Sequence, residues 1–141
     1  MVSEEKVRNK VKHKLRIDNK RLTGSFKYAF EGIIQTYKGE QNLKIHTFIA
    51  ILVVVFGFFL KISTVEWFAC LILIGLVLMS EFFNTAIEYV VDLASPRIHP
   101  LAKAAKDTAS AGVLIMSIMA AIVGGIIFIP KLIDYIGGLL W

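Results

Sequence analysis

Three long apolar stretches constrain this chain more than any other feature. A helix needs roughly 20 mostly apolar residues to cross a bilayer, because each backbone polar group must be satisfied inside the segment. In a chain of 141 residues, 45–62, 65–94 and 109–129 meet that requirement. The first contains the run from Phe48 to Leu60. The second is cleanly apolar to Met79 and continues at helical period through Glu81 to Ala94. The third stops at Pro130-Lys131. Side chains are 56% hydrophobic and 19% charged, which excludes an ordinary soluble domain, near a quarter charged. The expected fold class is an all-α membrane protein, with an N-terminal amphipathic surface helix and three transmembrane helices. No signal peptide fits, since over forty polar-to-amphipathic residues precede the first span.

Charge sets the expected orientation. Residues 1–46 hold eleven Lys and Arg against five Asp and Glu. Between the first two spans the base is Lys61, whereas Arg97, Lys103 and Lys106 follow the second span. Basic residues stay on the cytoplasmic side, so the N-terminus and the second loop are expected there, in the plasma membrane of a bacterium. Residues 1–20 read as a basic arm near anionic lipid, with no nucleic-acid partner, and 21–141 as one membrane domain. Within 22–39, Leu22, Phe26, Phe30, Ile33 and Tyr37 recur at steps of three and four, with Lys27, Glu31, Gln35 and Lys38 between them. That pattern predicts a helix lying in the interface. It could be a simple anchor or a floor that presents a lipid head group. Cys70 is the single cysteine, which excludes an internal disulfide and a cysteine-based zinc site.

One stretch does not suit a membrane helix. Glu81, Asn84, Glu88 and Asp92 are spaced i, i+3, i+7 and i+11. At helical pitch they fall within roughly 80° of arc, opposite Phe82, Phe83, Ile87, Val90 and Val91. A carboxylate in hydrocarbon costs about 2.5–3.5 kcal/mol on the mildest scale. Such a stripe needs a positive partner: a base, a proton or a metal ion. Asp92 alone reads as an interfacial residue, but Glu81, Asn84 and Glu88 together do not. Oxygen ligands at this spacing suit a hard ion such as Mg²⁺ rather than zinc.

The complement follows at once. Ser95 to Pro100 breaks the helix, and Lys103, Lys106 and Ser110 share a face of the next one. Lys106 is the base expected to face the stripe, and small residues from Ala104 to Gly112 allow close helix approach. Glu40 sits where the surface helix turns into the first span. It either complements the macrodipole of that helix or brings a third carboxylate level with Glu88. His99, a loop histidine, is a weak signal by itself.

Taken together, Glu81-x-x-Asn84-x-x-x-Glu88-x-x-x-Asp92, His99 and Ala105-Lys106-Asp107 before a third span resemble the small integral-membrane diacylglycerol kinase family. More narrowly the chain resembles its Gram-positive undecaprenol kinase branch. Ser25 to Phe30 and Glu40 to His46 support the likeness, which runs from about Arg21 to Ile129. The resemblance implies phosphorylation of a membrane lipid alcohol by ATP with Mg²⁺, without any soluble-kinase motif. It implies Glu81 as the catalytic base and Glu40 and Glu88 as magnesium ligands. Asn84 is implied to position ligand at the same site. It also places Tyr28, Glu40, Asn84, Glu88, Arg97, His99, Lys106 and Asp107 around ATP, and Arg21 with Glu81 at the lipid. Family members are homotrimers with shared sites.

Two departures bear on the lipid. Gram-negative diacylglycerol kinases have Arg where this chain has Leu93, and Gly-Arg where it has Lys103-Ala104. Both favour undecaprenol over diacylglycerol. A rival from another class is a small proton-coupled transporter with Glu81 and Glu88 as ion sites. Against it, Glu40, Lys106 and Asp107 lie at the cytoplasmic rim, whereas transporters bind near the midplane. A non-catalytic assembly subunit leaves the acidic stripe unexplained.

Overall fold

The computed structural model describes residues 19–97 and 99–139, with side chains from 23 to 97 and from 99 to 138. The basic arm lies outside the described residues, apart from the helical backbone of its last two, and so do the Arg21 and Leu22 side chains. Four helices follow in order: α1 (Asn19–Gly39), α2 (Gln41–Phe59), α3 (Thr64–Ala94) and α4 (Pro100–Leu139). No strand occurs among the described residues. Helices α2, α3 and α4 are each long and apolar enough to cross a membrane. The chain divides into two units, residues 1–35 and 36–141.

In the first unit, α1 carries the predicted amphipathic pattern. Phe26 and Phe30 are open on its surface, and Lys27 pairs with Glu31 at 3.8 Å one turn on. In the second unit, the last turn of α1 is tied to α2. The Thr47 hydroxyl donates to Leu43 O at 2.8 Å. Its oxygen therefore accepts from the Tyr37 hydroxyl, 2.6 Å away.

The α2–α3 turn is tightly specified. Lys61 N–H donates to Phe58 O at 3.3 Å and Ile62 N–H to Gly57 O at 3.1 Å, the paired bonds of a Schellman ending. Lys61 occupies the left-handed position at φ 50°, where glycine is usual. Ser63 then opens α3 with a reciprocal capping box. Its backbone N–H donates to Glu66 Oε2 at 2.6 Å, and Glu66 N–H donates to Ser63 Oγ at 3.4 Å. The turn ends the first span at Phe59, three residues before the predicted limit.

The predicted stop at Pro130-Lys131 does not end α4, which continues to Leu139. Proline removes one helical donor, but tertiary contacts hold the turns beyond it. Lys131 Nζ is 3.3 Å from Glu66 Oε2 on α3, and the Tyr135 ring sits 5.0 Å from Phe59 on α2.

α3 packs chiefly on α4 and less extensively on α2. Burial is inverted relative to a soluble core. Phe48, Phe58, Phe83 and Ile126 point outward, as lipid-facing side chains do, while the fully buried large side chains are Leu43, Glu81 and Thr85. The Thr85 hydroxyl turns back to donate to Glu81 O at 3.0 Å.

Candidate active site

The site builds outward from Glu81. Helical spacing on α3 points it at α2, and it is 1% exposed. His46, on the second turn of α2, brings Nε2 to 3.2 Å from Glu81 Oε1. That is ion-pair distance, but the ring is not aligned for a hydrogen bond. Both Glu81 oxygens are buried with no hydrogen-bond donor among the described residues. An unsolvated carboxylate costs several kcal/mol, so a carboxylate kept here needs a reason beyond packing. Glu40 and Glu88 also stand close enough to act on its charge.

One turn on, Asn84 is a buried bracket. Its Nδ2 donates to Glu88 Oε1 at 3.1 Å, and its Oδ1 accepts from the Ser110 hydroxyl of α4 at 3.3 Å. Glu88 is thus fixed in direction while remaining half-buried. Lys106 of α4 meets the stripe at its far carboxylate, with Nζ 2.6 Å from Asp92 Oδ1, and Glu88 also acts on its ammonium. Asp92, which alone reads as interfacial, is therefore the stripe's ion-pair link to α4, beside the Asn84–Ser110 hydrogen bond.

Glu40 occupies the N-cap position of α2 in extended conformation, φ −99° and ψ 118°, yet its side chain makes no capping hydrogen bond. It complements the helix dipole by position alone, and its carboxylate is not used as a cap. The turn is closed instead by Glu40 N–H donating to Thr36 O at 2.8 Å.

The other expected nucleotide residues are less convergent. Asp107 is exposed and pairs with Lys103 one turn away. His99 has a structural task, its Nδ1 accepting from Leu101 N–H at 3.2 Å to cap α4. Arg97 is exposed in the turn, where its carbonyl accepts from Ser95 Oγ at 3.0 Å. Tyr28 is exposed on α1 in the first unit. The Arg21 side chain lies outside the described residues.

Two hollows adjoin these residues. One, of about 410 Å³, lies between α2, α3 and α4, with apolar walls such as Val53, Val77 and Phe128 and with His46 and Ser117 as polar members. The other, of about 600 Å³ between α3 and α4, is lined by Ser80, Asn84, Ala105, Thr108 and Gly112 among others.

Sequence reasoning gave no role to His46, because a histidine six residues past Glu40 has no local signature of contact with α3. The Glu66–Lys131 tie was also missed. Ser63-x-x-Glu66 is a readable capping signal, but its partner is 65 residues further along the chain.

The model of the prokaryotic diacylglycerol kinase family matches residues 27–128. The undecaprenol kinase of Bacillus subtilis (strain 168) is 42% identical over 112 residues, which are 79% of this chain and 91% of that protein. The diacylglycerol kinase of Synechocystis sp. is 37% identical over 114 residues, 80% of this chain and 65% of the relative. That of Haemophilus influenzae is 34% identical over 108 residues, 76% and 92% respectively. The matched region takes in the whole stripe, all of α2 and α3, and α4 as far as Phe128, and these three apolar helices make this a multi-pass membrane protein. By that match the chain belongs to the prokaryotic diacylglycerol kinase family.

Proposed function

We propose that this chain, a lipid kinase by its family, transfers the γ-phosphoryl group of MgATP to undecaprenol at the cytoplasmic face of a bacterial cell membrane. The observation that carries this reading is Glu81, a buried carboxylate whose two oxygens meet no hydrogen-bond donor among the described residues. Its depth suits a substrate that never leaves the bilayer. From Thr64, where α3 begins, Glu81 lies about 25 Å along the axis and Glu88 about 36 Å. Against a hydrocarbon core about 30 Å thick, Glu81 falls just inside the apolar layer and Glu88 just beyond it.

Each residue then has a defined task. Glu81 accepts the hydroxyl proton as the alcohol oxygen approaches phosphorus. Phosphoryl transfer depends on alignment and charge neutralisation more than on covalent chemistry. Lys106 is within reach of phosphate oxygens from the cytoplasmic rim, and Asp92 holds it there. Arg97, His99 and Asp107 contact the nucleotide from that rim, and Tyr28 of the first unit is assigned to the nucleotide by the family resemblance alone. Arg21 meets the lipid at the interface.

The side chains fit magnesium. Glu40 offers a carboxylate that caps nothing, and Glu88 offers one oriented by Asn84. Among the described residues no three acidic, His or Cys side chains converge. Mg²⁺ typically takes one or two carboxylates and completes its shell with phosphate oxygens and water. Glu40 and Glu88 would hold it, and it would supply charge neutralisation on the ATP phosphates.

A homotrimer with shared sites completes the proposal. Three spans enclose too little space for ATP and a lipid head together, and the small-residue wall from Ala104 to Gly112 suits a close helix neighbour.

Undecaprenol is favoured by Leu93 and Lys103-Ala104, where a diacylglycerol site has arginine, and by the 42% identity to an undecaprenol kinase. The Synechocystis and Haemophilus relatives, named diacylglycerol kinases, keep that lipid as the second reading. An apolar groove discriminates by only about 10–200-fold per methylene-sized contact, so preference is expected rather than exclusivity. Purified protein in mixed micelles with labelled ATP and Mg²⁺ should give a higher kcat/KM for undecaprenol. Equal or better use of diacylglycerol would select the second reading, and no transfer to any lipid alcohol would overturn both.

A further inference from the structure

Glu81, as the base, must be emptied of its proton after each turnover, and its surroundings leave few exits. It is 1% exposed. The Thr85 hydroxyl is committed to a backbone carbonyl, and Asn84 to Glu88 and Ser110. The neighbouring cavity of about 410 Å³ is walled almost entirely by apolar side chains. The side chain in contact with Glu81 that can both take and give a proton is His46, at 3.2 Å and 20% exposed, near the start of α2.

We propose that His46 carries to solvent the proton that Glu81 takes from the lipid hydroxyl. The inference rests on the reading of Glu81 as base. The hydroxyl O–H bond breaks as its oxygen bonds to the γ-phosphorus, the bond from that phosphorus to the bridging oxygen breaks so that ADP leaves, and the hydroxyl proton settles on a Glu81 oxygen. It then passes to His46 Nε2, while the imidazole releases its Nδ1 proton toward the interface, which returns Glu81 to the carboxylate form that the next turnover needs. The ring is out of hydrogen-bond alignment with Glu81, and catalytic hydrogen bonds often tighten only in the complex with ligands. The groups facing it are Glu81, with Glu88 beyond it, from α3 and Ser117 from α4. Glu40 stands at the head of its own helix. Of these, Ser117 has a buried hydroxyl oxygen with no partner among the described residues, and it lines the same cavity as His46. His46 is thus a positioning residue that acts through Glu81.

Full-length His46→Gln and His46→Ala, assayed in undecaprenol micelles, test the relay. Glutamine keeps a donor of similar reach but cannot accept one proton while releasing another. Both variants should lose kcat by about tenfold or more, with KM for ATP and lipid within twofold and unchanged thermal midpoints. Adding either substitution to Glu81→Gln should cost nothing further. A His46→Gln enzyme with the parent kcat overturns the relay while leaving the base in place. An active Glu81→Gln enzyme overturns the base assignment itself, so the two failures are distinguishable.

Discussion

Replacing Gly57 by alanine should loosen the joint between α2 and α3. A Cβ at this position would lie 2.8 Å and 2.9 Å from the Cη2 and Cζ2 atoms of Trp67, and 3.1 Å from Ile62 Cδ1. Carbon atoms pack best at about 3.5–4.0 Å. Two of the three contacts are to a rigid indole that is itself packed at a tilt against Phe58, 4.8 Å between centroids. Overpacking of this kind costs about 1–3 kcal/mol. Opposing it, alanine is favoured over glycine inside a helix by about 0.5–1 kcal/mol. At mid-range the steric effect wins, giving a net loss of about 1 kcal/mol. Equilibrium unfolding in mixed micelles with added denaturing detergent, followed by circular dichroism, reads it directly. Trp67→Phe removes both offending ring atoms, so Gly57→Ala/Trp67→Phe should recover most of the loss, with coupling near 1 kcal/mol. Activity should fall with stability, because this joint sets the register that brings His46 to Glu81. A Gly57→Ala protein as stable as the parent would refute the packing argument.

Glu81→Gln should abolish phosphoryl transfer while nucleotide binding persists, and Glu88→Gln should weaken nucleotide binding as well. Equal loss of binding in both, measured by ATP titration, would make Glu81 a metal ligand. Lys106→Ala should raise the KM for ATP and lower kcat together, while Asp92→Asn, which frees the ammonium without removing it, should have a smaller effect. An unchanged KM for ATP in Lys106→Ala would return Lys106 to an interfacial role. Lys61→Gly should stabilise the protein by roughly 0.5–1 kcal/mol, since φ 50° suits glycine. A lower unfolding midpoint for that variant would contradict the Schellman assignment.

The sequence made the helices legible because lipid demands long apolar runs and continuous hydrogen bonding. It made the stripe legible because carboxylates in such a run have no cheap explanation. The boundaries were less readable. Lys61 in a left-handed turn looks like any charged loop residue, and Pro130 reads as a stop when Glu66 and Phe59 are out of view. The site was legible along α3, where Glu81, Asn84 and Glu88 share one helix, and less so across helices. Nothing local indicates that His46 reaches Glu81 or that Ser110 steadies Asn84. Those contacts depend on the rotation and depth of α2 and α4 against α3, which only tertiary packing fixes.

The two ion pairs that join α3 to α4 also measure the membrane. Glu66–Lys131 ties one end and Asp92–Lys106 the other. The rungs are 26 residues apart on α3 and 25 on α4, about 39 and 38 Å of rise. The near-equal lengths give the two helices one shared hydrophobic height, somewhat greater than a hydrocarbon core of about 30 Å. With a charged rung at each rim, the pair is costly to sink or lift, so mismatch must be met by tilting the helices or deforming the lipid. Glu81 lies about 22 Å from the first rung, and its depth beneath the opposite surface therefore depends on the lipid around it. In a thicker bilayer the carboxylate is drawn away from the water layer that would supply ATP in the proposed reaction, and in a thinner one it rises toward it. Acyl-chain length would thereby tune how readily a buried alcohol and a dissolved nucleotide meet.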